Sequence, residues 1–361
     1  MATTQAPAPR RSFLTIVAAT MAGLVAVTWL WVIDNPRSCI SPDSGTWIAK
    51  MQMAGGHLPA GRVIILGDSC TAADLAPPLL GNKVIDLGLS ASSPIESYFM
   101  ARRLLKTNTP AAVMVYFRPI HFENGSDVFL FESSAKFGLI NTADLETIRR
   151  LSRNLNDPTL FGSPTPFDSD ARLKDYLLPH RFPAYYFGGI VEGRIGGWKQ
   201  KSLQEQAYTI LTRGFCPTER DYKALILDPG PIMETFRPSP VVDDYFRQTL
   251  TLFQERHIPV YFASMPNTPA SFKALTPEAI AGYTAYLQQM AATYPVFKIV
   301  GDVFTSMPNE YFSDATHLSS AGAVVCSQRT RALLSAAGVD LGTADARWKP
   351  PVRNASGYWV R

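Results

Sequence analysis

Arg62 to Leu75 reads Arg-Val-Ile-Ile-Leu-Gly-Asp-Ser-Cys-Thr-Ala-Ala-Asp-Leu, and it constrains the fold more than any other stretch. The β-branched run Val63–Leu66 stops at Gly67-Asp68-Ser69 and gives way at once to a helix-compatible segment. That pattern predicts a strand, a sharp turn and a helix with serine at its mouth. There the serine Oγ is exposed, and helix-terminal N–H groups face a developing negative charge. The alternation continues down the chain. Lys83–Leu87 leads to Gly88, a helix is expected from about Pro94 to Lys106, and Ala112–Phe117 follows. Helices over Val242–Arg256 and Pro277–Thr293 precede the strand-like runs Val260–Ala263 and Val296–Val300. Strands separated by helices predict an α/β fold with a parallel sheet covered on both faces. Sites in such sheets form beyond the carboxyl ends of the strands. Ser69, Gly88, Arg118 and Asn267, each just past a strand, are therefore expected on one rim.

Between Ile120 and Pro240 the alternation fails. This region is rich in Pro, Gly and aromatics, Tyr185-Tyr186-Phe187 and Trp198 among them, and it is too long for an ordinary loop. It reads as a partly helical insertion packed over the rim. Its aromatics suit either an extra layer of core or a lid or acceptor groove.

The beginning of the chain speaks to location. Phe13–Ile33 is 21 residues without a charge, about 31 Å as a helix and enough to cross a hydrocarbon core. Arg10 and Arg11 precede it, and Asp34, Asn35 and Pro36 follow. Positive charge on the N-terminal side predicts a cytoplasmic N-terminus and an exported body. A cleaved signal peptide is the rival reading, but its apolar core is usually shorter and no small-x-small cleavage site ends this one. The expected organisation is a cytoplasmic stretch (1–12), an anchor (13–33), a linker (34–60), a catalytic domain (61–340, with the insertion at about 120–240) and a tail (341–361).

A formal charge of +4 without a Lys/Arg-rich run gives no case for nucleic acid. No Cys or His pair has ligand spacing, so neither a metal nor another cofactor is expected. In an exported body Cys39 and Cys216, both in loop-like surroundings, are candidates for a disulfide. Cys70 and Cys326 sit in apolar helical contexts and read as buried small hydrophobes.

Near the other end, Asp314-Ala315-Thr316-His317 places a carboxylate three residues before a histidine. Taken singly, Ser69 suits a helix N-cap, His317 a loop histidine and Asp314 a cap for a helix starting near Ser319. Taken together they are a nucleophile, a base and an orienting acid, which one mechanism needs at rim positions.

Gly67-Asp68-Ser69, Leu87-Gly88 after a second strand, and Asp314-x-x-His317 resemble, in order and spacing, the SGNH (GDSL-type) hydrolase superfamily across about Arg62 to Leu334. The resemblance implies a flavodoxin-like three-layer α/β/α domain. It also implies Ser69 as nucleophile, His317 as base, Asp314 as its partner, and an oxyanion hole from the Ser69 and Gly88 N–H groups. The family's Gly-x-Asn-Asp block is missing; Phe117-Arg118-Pro119-Ile120-His121-Phe122-Glu123-Asn124-Gly125 stands in its place. Losing the Asn donor costs ~2.7–4 kcal/mol at the transition state of ordinary hydrolysis. The replacement is similar to the Pro-x-x-Phe segment of membrane-anchored proteins that help transfer D-alanyl groups to teichoic acids. The anchor-plus-body design resembles accessory proteins of alginate and cellulose acetylation.

Three functions follow as expectations. One is an O-acyltransferase, with acetyl as the expected group, tethered to the bacterial inner membrane with its body in the periplasm. It would modify a polysaccharide such as cellulose or alginate beside a membrane-bound O-acyltransferase that relays the acyl group. Another is a carbohydrate or lipid esterase using the same triad, and the third is a non-catalytic scaffold of a polysaccharide-synthesis complex. Arg118, His121 and Asn267 are the candidates for substrate contact.

Overall fold

A computed structural model describes residues 10–123, 128–158, 160, 169–217, 234–350, 352–353 and 359–360. The strands that place the site are β1 (Val63–Gly67), β2 (Val84–Asp86), β3 (Ala112–Tyr116), β4 (Val260–Phe262), β5 (Pro266–Asn267), β6 (Phe297–Ile299) and β7 (Thr305–Ser306). Five of them form a parallel sheet in the order β2-β1-β3-β4-β6, while β5 and β7 pair separately. The order reverses between β1 and β3, and a crevice opens at such a switch point beyond the carboxyl ends of the strands.

The period-2 geometry of a strand sends successive side chains to opposite faces, and both faces here are covered. Ile64 and Leu66 of β1, Val113 and Val115 of β3, and Val260 and Phe262 of β4 enter one core, with Trp47, Phe99, Phe246 and Leu287 from flanking helices. Val63 and Ile65, Met114 and Tyr116, and Tyr261 enter the other, with Leu80, Cys326 and Leu334. Near-continuous apolar strands are what two-sided burial demands. Truncating Phe262 to Ala would cost roughly 3–5 kcal/mol by the usual cavity penalty.

Helix starts follow local chemistry. Ser93 and Glu96 form a reciprocal capping box before Pro94–Leu104, whose Pro at the first position has no N–H to lose. Ser239, Thr276 and Ser319 accept N–H bonds at the heads of Pro240–Gln254, Pro277–Thr293 and Ser320–Ala336. Gly322 lets the last of these lie against Tyr311, whose carbonyl would sit 2.1 Å from an added Cβ.

Residues 120–240 are largely helical where described, through Val128–Phe137, Thr142–Asn154, Ser169–Leu177, Phe187–Ile195 and Trp198–Leu211. Phe131, Leu145, Ile148 and Tyr186 join the first core, so that part of the insertion is added core. Trp198–Leu211 packs against Ser44–Gly55, where Gly45 permits a close approach to the Ser202 carbonyl. Beyond it, the Arg213 carbonyl accepts the Asp86 N–H at 2.9 Å, and the Arg213 guanidinium donates to the Val84 and Gly81 carbonyls. The insertion thus covers the β2 edge, whose unpaired groups would otherwise invite other chains.

The expected Cys39–Cys216 disulfide is not formed: both are free thiols. Cys39 Sγ lies against the Asn35 and Pro36 carbonyls, whereas Cys216 neighbours Thr46 Oγ1 and bonds its N–H to the Ala72 carbonyl. The two sit in different packing environments, so compartment and loop context do not make a pair. Cys70 and Cys326 are buried.

At the start of the described chain, helix Arg10–Asp34 contains Phe13–Asp34, long and apolar enough to cross a membrane, with a mean hydropathy of 2.2.

Candidate active site

The turn after β1 is built from contacts that only its sequence allows. A Cβ on Gly67 would lie 1.9 Å from Thr71 Oγ1 and 2.4 Å from the Tyr116 carbonyl. Glycine there lets the Thr71 hydroxyl bridge back to the Tyr116 carbonyl at 3.1 Å. Asp68, not Ser69, caps helix Ser69–Asp74, accepting the Cys70 and Thr71 N–H groups at 2.9 and 3.3 Å. Ser69 is left as the first helical residue, half-buried, with its side chain free for another partner.

That partner is His317. Its Nε2 lies 2.9 Å from Ser69 Oγ, and its Nδ1 lies 2.9 and 3.1 Å from the two Asp314 oxygens. With the Nδ1 proton directed at Asp314, Nε2 presents a lone pair to the serine hydroxyl. Asp314 is fixed in turn by the Thr316 and His317 N–H groups, both at 2.7 Å, and by the Thr316 hydroxyl at 3.1 Å. Asp314 therefore serves the histidine, while Ser319 caps the helix that follows.

Electrostatics follow the geometry. Burial raises the Asp314 pKa, but hydrogen bonding to His317 and its charge outweigh burial and hold it well below the usual carboxylate range. Burial lowers the His317 pKa, while Cys70 and Asp314 raise it above the ordinary histidine value. Cys70 acts this way only as a thiolate, and burial keeps its own thiol protonated. We therefore attribute the upward direction to Asp314.

The two halves of the site are tied together by residues the motif does not name. Buried Asp74 Oδ1 accepts the Leu318 N–H at 3.0 Å, and the Cys70 thiol lies 3.3 Å from the Thr316 carbonyl. Arg118, just past β3, donates through Nη2 to that same carbonyl. Asp68 Oδ2 meets His121 Nε2 at 2.7 Å. Burial pushes the Asp68 pKa up, but His121, then Arg118 and His317, bring it below the ordinary value. Arg118 Nε and His121 Nδ1 are buried without a partner among the described residues, and both belong to side chains around the Asp68–Ser69 turn.

The other expected residues lie differently. Gly88 gives its N–H to Asp86 Oδ1 at 2.6 Å, and its carbonyl accepts from Lys50 Nζ. Its N–H is therefore already engaged, while the Ser69 N–H has no intrahelical acceptor at the first helical position. Lys50 and Asp86 are both fully buried, with Nζ 3.4 Å from Oδ2. Ala91, in the turn beyond, has φ +54°, a conformation that costs a non-glycine residue and often marks a functional loop. Asn267 is occupied elsewhere: it pairs with Ser306 in β5–β7 and donates to the Thr305 carbonyl at 3.2 Å. Asn124 and Gly125 of the replacement segment lie outside the described residues.

Sequence reasoning missed Asp68, Asp74 and the Lys50–Asp86 pair. An acid followed at once by the serine of a predicted helix is a capping signal for Asp68. Asp74, Lys50 and Asp86, charged residues amid apolar neighbours, were sequence hints of buried partners. No protein-family model matches the chain, and no curated protein matches it.

Proposed function

We propose that the protein is an exported, membrane-tethered serine O-acyltransferase on an SGNH-type, flavodoxin-like domain, passing an acyl group to a polysaccharide hydroxyl. The observation that carries this reading is the continuous relay from Ser69 Oγ through His317 to Asp314, each link at 2.9 Å. It is supported by the position of Ser69 at the carboxyl end of β1, beside the point where strand order reverses.

In this mechanism Ser69 Oγ attacks the acyl carbonyl of the donor as its proton passes to His317 Nε2. The resulting oxyanion takes the Ser69 N–H, and the imidazolium stays paired with Asp314. Collapse breaks the bond to the leaving group, which takes the proton from His317, and leaves an ester on Ser69. An acceptor hydroxyl then gives its proton to His317 and attacks that ester; the ester bond to Ser69 breaks as His317 returns the proton to Ser69 Oγ, so that the acyl group moves and free Ser69 is restored. Acyl-CoA is cytoplasmic, so a donor outside the membrane requires a membrane partner that carries the acyl group across; a polytopic O-acyltransferase fits that requirement.

Esterase activity is the second reading, favoured by one observation: Ser69 is half-buried and not sealed, so water can reach the ester. The test uses the full-length protein with p-nitrophenyl acetate, following nitrophenol release and acetylation of Ser69 by peptide mass spectrometry. Adding an oligosaccharide acceptor separates the readings. Acetylated sugar supports transfer, acetate alone supports hydrolysis, and an unmodified Ser69 with no release overturns both.

A further inference from the structure

The end of the N-terminal apolar helix is not free of the body. Val32 is fully buried. Trp29 Nε1 donates to the His180 carbonyl at 2.8 Å, and its ring meets Phe182 edge-on at 5.1 Å. Arg181 Nη1 donates at 2.8 Å to the Ile33 carbonyl. Trp29 lies five residues before Asp34, the end of the apolar span, about 8 Å back along a helix. If that span crosses a bilayer, the segment around His180–Phe182 is held at the headgroup–acyl boundary, where interfacial helices lie.

Helix Phe187–Ile195 continues from this segment, and its two faces differ completely. A Cβ on Gly193 or Gly189 would sit 2.0 Å from the Ser38 or Cys39 carbonyl respectively. The glycine face therefore lies directly on the backbone leaving the anchor. Phe187, Val191 and Ile195 follow one another at four-residue intervals, a single stripe on the helix. At 100° per residue that stripe is centred about 180° from the two glycines. All three side chains are exposed, Ile195 at 86%. Arg194 is exposed on the same helix, with Glu192 its one exposed acid, and Lys199 is exposed at the start of the next helix, Trp198–Leu211.

We propose that Phe187–Ile195 is a second membrane contact whose apolar stripe enters the lipid surface, with Arg194 toward anionic headgroups. A lipid surface is favoured as occupant because the helix follows directly on the His180–Phe182 segment docked on the end of the anchor, and because an exposed Arg194 stands on it. A single helix lets a body swivel; two contacts fix which side of the domain faces the bilayer. The inference rests on the reading of Phe13–Ile33 as an anchor, and the experiment tests the two separately.

The full-length protein in nanodiscs containing anionic lipid would carry a fluorescent NBD label at Leu24→Cys, Ile195→Cys or Val325→Cys, with the unsubstituted chain as labelling background. Ile195 is too exposed for its replacement to disturb packing, and exposed Val325 lies on the helix covering the other sheet face. We expect spin-labelled lipids to quench the labels at positions 24 and 195 severalfold more than the label at 325. Quenching at 24 but not at 195 overturns the second contact and leaves the anchor standing. No quenching at 24 overturns both. A label at 195 shielded from iodide yet untouched by lipid quenchers means that protein covers the stripe, and also overturns the proposal.

Discussion

Asp74 Oδ1 accepts the Leu318 N–H at 3.0 Å, joining the helix that begins at Ser69 to the residue after His317. The bond bridges 244 positions of chain inside an apolar layer, and the second Asp74 oxygen has no partner among the described residues. Burial raises the Asp74 pKa to about 7, against the pull of the Leu318 N–H.

The sign of the consequence is definite. An acid with a raised folded-state pKa binds its proton more tightly folded than unfolded, so stability falls as pH rises from about 4 to about 7. The cost is complete above the folded value and is on the order of 4 kcal/mol. Asp74→Asn keeps an acceptor for Leu318 and removes this pH dependence. Its melting temperature relative to wild type should move in the variant's favour between pH 5 and 8. A constant difference across that range would mean that Asp74 is not the titrating group.

Lys50 and Asp86 form a buried ion pair that holds both backbone groups of Gly88. Lys50→Met leaves the carboxylate buried without its cation, a loss of roughly 3–5 kcal/mol. Adding Asp86→Asn removes the charge while keeping an acceptor for the Gly88 N–H, so the double variant should unfold at higher denaturant than Lys50→Met alone. Urea titrations of both variants check this, and simple additivity of two losses would refute the pairing.

His121 is the main partner that keeps Asp68 ionised. A carboxyl with a depressed folded-state pKa contributes stability above its unfolded value of about 3.9, and that contribution is lost as pH falls through the folded value. His121→Phe should therefore lower stability by about 1–3 kcal/mol at pH 7. The deficit should shrink at pH 3. Equal deficits at both pH values would assign His121 to packing alone.

The sheet was legible because β1 and β3 are apolar on both faces and the helices Pro94–Leu104, Pro240–Gln254 and Pro277–Thr293 carry their own caps. Val63–Leu66 and Ala112–Phe117 were placed within a residue of β1 and β3, and Pro277–Thr293 matches its helix end for end. The relay partners were legible because Ser69 and His317 each stand in a turn whose chemistry is local. What joins those turns was not. Asp74 to Leu318, Asp68 to His121 and Lys50 to Gly88 are contacts between distant segments, and a lone buried charge does not name its partner. The Gly88 N–H shows the limit well: its place after β2 put it on the rim and the family resemblance implied an oxyanion donor, but only the fold reveals that Asp86 two residues earlier takes it.

Because Asp314 raises the His317 pKa, more of the imidazole is protonated at neutral pH than in an ordinary histidine, and only the neutral form accepts the serine proton. Acyl-ester formation should rise with pH through a midpoint above the ordinary value of about 6.5. Asp314→Asn removes the charge that favours imidazolium, so its midpoint should move down even as its plateau falls. Burst kinetics of nitrophenol release from pH 5 to 10 test both directions. A midpoint that rises in the variant would exclude Asp314 as the charge partner.

Ser69, His317 and Asp314 should behave as one device. Ser69→Ala removes the atom that becomes acylated, and His317→Ala removes the base that makes it nucleophilic, so either loss leaves the other residue nothing to do. Each variant should lose at least about 10³-fold in acyl transfer, and the double variant should lose no more than the worse single one. Asp314→Asn should retain more activity than Ser69→Ala, since it disturbs orientation and charge but leaves nucleophile and base in place. Initial rates of the four proteins with p-nitrophenyl acetate decide the matter, with circular dichroism confirming that each is folded. Multiplicative losses in the double variant would show that Ser69 and His317 act separately, and full acyl transfer by folded Ser69→Ala would remove the serine from the chemistry altogether.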